Sequence, residues 1–225
     1  MFKPQLHILP PSQRLLWDEL HAVPADFVLY RGTAIALHLG HRDSIDFDFF
    51  STEPFNPAQL YNKVSFLAGA EITQQEKNTL TCLIDRGGPV KVSFFGVPQI
   101  RRVEEPHVAE GNQLKVASLV DLAGIKAAVV QQRAEAKDYV DLDALMRHGI
   151  GLPTALAAAN AIYGRSFNPQ ITLKALSYFG EGSLRTLPPE VKQRIVSAVA
   201  TIDLDALPRL GNGAVRHDLE GEDPV

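Results

Sequence analysis

RGTAIALHLGHRDSIDFDFF, residues 31–50, is the stretch on which the reading of the fold turns. TAIALHLG reads as a short helix closed by Gly40. SIDFDFF, residues 44–50, alternates strictly, as a half-buried strand does. Ile45, Phe47 and Phe49 would then anchor the core, with Ser44, Asp46 and Asp48 on the other face. Burying one carboxylate is costly and burying two side by side is worse. Either that face is solvated, or a cation lies between the two groups. Residues two apart on a strand have Cα atoms about 6.5–7 Å apart, so both carboxylates can converge on one ion. An oxygen-only pair suits magnesium or manganese, and magnesium commonly shares its site with substrate phosphates.

The residues just upstream strengthen the second option. DFVLY, residues 26–30, is strand-like, and Gly32-Thr33 follows it at a strand-to-helix turn. A glycine there lets a phosphate approach the backbone, the helix start offers free N–H groups, and the threonine adds a hydroxyl donor. A phosphate cradle and a metal-binding pair joined by one helix are the parts that phosphoryl transfer from a nucleotide requires.

Working outward, Ser12 is expected to cap a first helix, SQRLLWDELHAV, and Asn56-Pro57 to open a helix PAQLYNKVSFLAG. AEITQQ, TLTCLID and PVKVSFFG read as strands, the last two joined by a hairpin at Arg86-Gly87-Gly88. Residues 97–113 read as loop and LKVAS as an edge strand. From Ser118 the period becomes helical, with SLVD as a capping box. Helices VDLAGIKAAVVQQR, AKDYVDLDALMRH, LPTALAAANAIYG, NPQITLKALSYFG and PPEVKQRIVSAVATI follow. The expected class is α+β. Residues 1–115 would hold a small mixed sheet flanked by helices, residues 116–215 a helical unit, and residues 216–225 a frayed acidic tail.

The composition permits this and excludes other classes. A chain of 225 residues with 45% apolar content can bury a core without staples, and its one cysteine, Cys82, can form no internal disulfide. No stretch has the length of a bilayer span, so a soluble cytoplasmic protein with no membrane partner is expected. A net charge of −4 argues against a generally basic nucleic-acid coat. It leaves room for a local basic patch, and Lys126, Arg133 and Lys137 would share one face of a continuous helix. A break near Ala134 would change that alignment.

The string Gly32-Thr33-Ala34, Leu37, Leu39-Gly40-His41-Arg42, Ser44, Asp46-Phe47-Asp48-Phe49-Phe50 resembles the AbiEii/AbiGii toxins of the polymerase-beta-type nucleotidyltransferase superfamily. Lys126, Arg133, Lys137-Asp138 and Asp141-Leu142 are similar to that family's second, basic–acidic block. The last third carries nothing diagnostic. The resemblance implies a magnesium- or manganese-dependent transfer of a nucleoside monophosphate from an NTP, with tRNA, another RNA or a nucleotide as acceptor and a cognate antitoxin as partner. It implies that Asp46 and Asp48 are catalytic and hold metal, and that Gly32, Thr33, Arg42, Ser44, Lys126 and Arg133 bind the nucleotide. Lys126 would neutralise phosphate charge. Asp138 would lie near the site, as a base or as the partner of a basic side chain. Arg42 is expected to pair with Asp46 or Asp48, or to steer a phosphate toward them.

Two departures stand out. Arg31 occupies the position where the family usually has a first glycine, so it either crowds the turn or supplies a phosphate ligand. Ser93, on PVKVSFF, falls where such enzymes carry a third carboxylate, and serine is a poor magnesium ligand. A second reading is therefore a nucleotide-binding protein of this fold with weak or no catalysis. A third is a partner-binding protein that works through its helical half.

Overall fold

The computed structural model describes residues 1–98 and 100–210, so the expected tail at 216–225 lies outside the described residues. Among the described residues, seven strands form one sheet in the order β3-β4-β5-β2-β1-β7-β6. Their ranges are β1 Val28–Tyr30, β2 Phe47–Ser51, β3 Glu71–Glu76, β4 Thr79–Asp85, β5 Pro89–Gly96, β6 His107–Val108 and β7 Lys115–Val116. β2 lies between β1, which runs antiparallel to it, and β5, which runs parallel. The Arg86-Gly87-Gly88 turn joins β4 to β5 as the sequence predicts. LKVAS is not an edge: β7 pairs with β1 on one side and β6 on the other, and β6 comes from the stretch expected to be loop.

The α-helices among the described residues are α1 Pro11–Trp17, α2 Arg31–Leu39, α3 Pro57–Lys63, α4 Leu119–Val129, α5 Ala136–Arg147, α6 Leu152–Tyr163, α7 Pro169–Leu176 and α8 Pro189–Ala200. Gly40 ends α2 with φ 66°, a left-handed turn that glycine adopts without strain. Asn56 caps α3 through its side chain, and Pro57 takes the first helical position. Ser12 is no cap, because Pro11 already stands at the first turn of α1. Ser118 caps α4, and Asp121 reaches back to it as expected, though to the Ser118 hydroxyl, which donates to its carboxylate at 2.6 Å, rather than to the backbone N–H. The same carboxylate accepts from the backbone N–H groups of Val103 and Glu104, at 2.8 and 3.0 Å, and so pins the loop before β6.

One continuous buried core runs from the sheet into the helices. Phe47, Phe49, Val90, Val92 and Phe94 are buried on the sheet as expected. Ile45 is not, at 57% exposed. Residues 43–46 lie outside the ladder and are tied to the N-terminal segment instead. Ser44 N–H donates to the Ile8 carbonyl, and the Ile45 carbonyl accepts from the Gln13 side chain. β2 therefore starts at Phe47.

α4 and α6 pack closely because Gly124 has no side chain. A Cβ there would lie 2.8 Å from the Ala158 backbone and from the Ala159 nitrogen. Alanine at position 124 should gain helix propensity of about 1 kcal/mol and lose more by forcing the helices apart, about 1–3 kcal/mol. Gly124→Ala is expected to lower the melting temperature by several degrees in a thermal scan.

Candidate active site

α2 begins directly after β1, so its first turn sits at the end of the strand next to β2. This brings the opening motif together as a cavity of about 600 Å³. Tyr30, Arg31, Gly32, Thr33, Asp43, Ser44, Asp46 and Asp48 line one side, and Ile125, Lys126, Gln132, Arg133, Lys137 and Tyr163 line the other. Arg42 also faces it. The two sequence blocks, distant along the chain, thus meet across one space.

Asp48 is buried, with its side chain 8% exposed, while Asp46 is half-buried. Asp48 stands opposite Tyr30 on one neighbour and Ser93 on the other. Its Oδ1 accepts no hydrogen bond among the described residues. The nearest cation is Arg31, whose NH1 lies 3.4 Å away. Burial pushes the Asp48 carboxyl above the usual range and the Asp46 charge adds to this, against the pull of Arg31 and Lys91. A buried, under-bonded oxygen beside a second carboxylate fits one hard divalent cation with water in its remaining positions. Ser93 is fully buried at the third position. Accordingly, no group of three His, Cys, Asp or Glu able to hold a metal exists among the described residues.

Thr33 serves the turn. Its hydroxyl bonds the Ser44 hydroxyl at 2.7 Å and donates to the Asp46 carbonyl. Its bonds, and those of Ser44, fix the approach to β2. Gly32 has a steric role: a Cβ there would lie 2.3 Å from the Arg42 guanidinium. Arg42 pairs with neither Asp46 nor Asp48. It makes a two-pronged contact with Asp141 on α5, at 2.7 and 2.9 Å. His41 Nε2 reaches the same carboxylate at 2.7 Å, and Lys126 Nζ lies 2.6 Å from its other oxygen.

Lys126, Arg133 and Lys137 do not share one helix face, since Arg133 lies in the break between α4 and α5. Lys126 is buried between Asp138 and Asp141, 2.6 Å from each. Arg133 donates to both oxygens of Asp138, at 2.7 and 3.1 Å, and Lys137 pairs with Glu135 at 2.9 Å. Asp138 is therefore the partner of two basic side chains, the second of the two places expected for it. Burial would raise the Asp138 carboxyl, but hydrogen bonding from Arg133 and the Lys126 charge outweigh it and hold it low. Burial of Asp141 is likewise outweighed, by His41, Arg42 and Lys126, and its carboxyl is held well below the ordinary range. His38 Nε2 contacts the Ala117 carbonyl, and its ring stacks on Phe2.

Tyr163 and Gln132 escaped sequence reasoning: α6 carries no motif and the position of its C-terminus is a matter of packing, and Gln132 lies in the break between α4 and α5. A second cavity, of about 650 Å³, adjoins the first at Ile100 and Tyr163 and is flanked by the exposed Arg101 and Arg165.

The chain is similar to several known proteins. Residues 14–208 match the family model described as nucleotidyl transferase AbiEii toxin, type IV toxin–antitoxin system. An uncharacterized protein of Aquifex aeolicus (strain VF5) is 34% identical over 157 residues, 68% of this chain and 74% of that protein. MenT4, a nucleotidyltransferase toxin from Mycobacterium tuberculosis H37Rv, shares the fold at a TM-score of 0.56 and 14% identity, covering 89% of this chain and 83% of its own. A crystal structure from H. pylori assigned as a nucleotidyltransferase does so at 0.56 and 16%, covering 84% and 92%. The chain belongs to the AbiEii nucleotidyltransferase toxin family.

Two stability measurements probe the charges. Asp141 and Asp138 have lowered folded-state pKa values, so their stabilisation is present above the unfolded value of about 4 and is lost as pH falls below it. Asp141→Asn should cost about 3–5 kcal/mol at neutral pH, the penalty for leaving buried cations unpaired, and should flatten the acid limb of urea denaturation. Asp48 has the opposite sign. Its raised folded pKa favours the protonated fold, an advantage lost as pH rises through that value. Asp48→Asn should raise the melting temperature at pH 7, and calorimetry at a pH below about 4 should find the difference gone.

Proposed function

We propose that this AbiEii-family nucleotidyltransferase moves a nucleoside monophosphate from a magnesium–NTP complex to the end of an RNA, and arrests growth by doing so. The observation that carries the reading is the convergence of Asp46, Asp48 and the α2 start with Arg42, Lys126 and Arg133 on one cavity. The acceptor hydroxyl would release its proton to water as its oxygen attacks the α-phosphorus, the bond to the bridging oxygen would break, and pyrophosphate would leave. Asp46 and Asp48 would hold magnesium, which when bound neutralises charge on the triphosphate. The α2 amide groups, with Gly32 giving close access, would face the phosphates. Arg42, aligned by Asp141, and Arg133, aligned by Asp138, would lie at fixed angles along them, and Lys126 would contribute charge from beneath. The RNA end would enter through the adjoining cavity, where Tyr163 offers a stacking face and Arg101 and Arg165 offer phosphate contacts. The antitoxin of a type IV pair would oppose the outcome.

Ser93 favours a second reading, a protein of the same family that binds NTP with little turnover, because its hydroxyl stands where a third carboxylate would support the chemistry. Expression in a bacterial host separates the two. Catalysis predicts growth arrest that Asp48→Ala relieves at equal protein level. Arrest that persists with Asp48→Ala sinks the catalytic reading. NTP binding by calorimetry in a protein that never slows growth supports the second.

A further inference from the structure

Arg31 is the first residue of α2 and holds a left-handed backbone, φ 63°, which a residue of its size rarely adopts. That conformation aims its side chain at Asp48 rather than along the helix. The guanidinium carbon lies 5.3 Å from the centre of the Phe50 ring and 5.1 Å from that of Phe95. These two residues are paired across β2 and β5, with their rings 5.0 Å apart. The arginine therefore rests on an aromatic platform, with NH1 3.4 Å from the under-bonded Asp48 oxygen. The contact is one of charge without a hydrogen bond, and the arginine side chain is half exposed.

The other cations around the cavity are committed differently. Arg42 is held by Asp141, Lys126 by Asp138 and Asp141, Arg133 by Asp138, and Lys137 by Glu135. Among the described residues, Arg31 alone of these has as its acidic partner a proposed metal ligand. A divalent ion at Asp48 and a guanidinium against the same oxygen repel each other, so entry of one releases the other.

We propose that Arg31 is a built-in competitor for the divalent cation: it neutralises Asp48 in the ligand-free protein, and a metal–NTP complex displaces it onto the triphosphate. The inference rests on the nucleotide reading above. It makes metal binding weak without nucleotide and couples the two, because the released arginine gains a phosphate partner only when NTP arrives.

The test is a titration of the purified full chain with Mn²⁺ and no nucleotide, followed by electron paramagnetic resonance of the free ion. Arg31→Gly should fold, since glycine takes the left-handed conformation without strain. It should bind Mn²⁺ about tenfold more tightly than wild type, the effect of removing one competing charge at a partly buried site. Asp48→Asn should abolish the difference. Binding by Arg31→Gly no tighter than wild type, or a gain that survives Asp48→Asn, overturns the proposal. In calorimetry at saturating Mg²⁺ the same variant should bind the NTP several-fold more weakly, and unchanged affinity overturns the transfer onto phosphate. If wild type binds none of the four NTPs, the nucleotide reading and the transfer both fail, and the Mn²⁺ comparison still decides the competition at Asp48.

Discussion

The carboxylate of Asp141, wholly buried on α5, accepts from His41 and Arg42 of the segment between α2 and β2 and lies against Lys126 of α4. His41 and Arg42 lie 100 and 99 residues away from it along the chain. Buried ion pairs contribute little net stability compared with apolar packing, yet breaking one is expensive because the remaining charge has no partner. That asymmetry makes the contact a lock on relative position. The helical half cannot shift against the sheet without stranding a cation, so both walls of the cavity are fixed together. Asp138 and Asp143 extend the pattern, binding Arg133 and Arg194. The three acids of α5 are thus occupied in holding cations, three of which, Arg42, Lys126 and Arg133, line the cavity.

Asp48 is the counterpoint. Its burial is not compensated by hydrogen bonds to both oxygens, and the nearest cation is a half-exposed arginine. A carboxylate kept in that state weakens the folded protein at neutral pH, which is the ordinary signature of a group retained for chemistry rather than stability. A saturated Asp141, bound by His41, Arg42 and Lys126, thus contrasts with an under-bonded Asp48 that has only Arg31 beside it.

Much of this was legible in the sequence. Alternation in SIDFDFF put Phe47 and Phe49 in the core and Asp48 on the cavity face, Gly40 marked the end of α2, and the glycine-rich turn between β4 and β5 marked a hairpin. The partner of Arg42 was not legible, because an arginine near two aspartates is expected to choose a local one, whereas Asp141 arrives only when α5 packs against α2. The exposure of Ile45 followed from hydrogen bonds to Ile8 and Gln13 that periodicity does not encode. Tyr163 carried no signal at all, since its place at the cavity mouth depends on where α6 stops.

The central claim is that Asp46 and Asp48 serve nucleotide transfer. Incubating purified protein with magnesium, total RNA and each of the four α-³²P-labelled NTPs in turn, beside an Asp46→Ala/Asp48→Ala variant, tests it most directly. The account predicts label covalently attached to RNA from one or more of the nucleotides with the wild-type chain and none with the variant. Equal labelling by both proteins, or none by the wild type under conditions where it binds NTP, would contradict it.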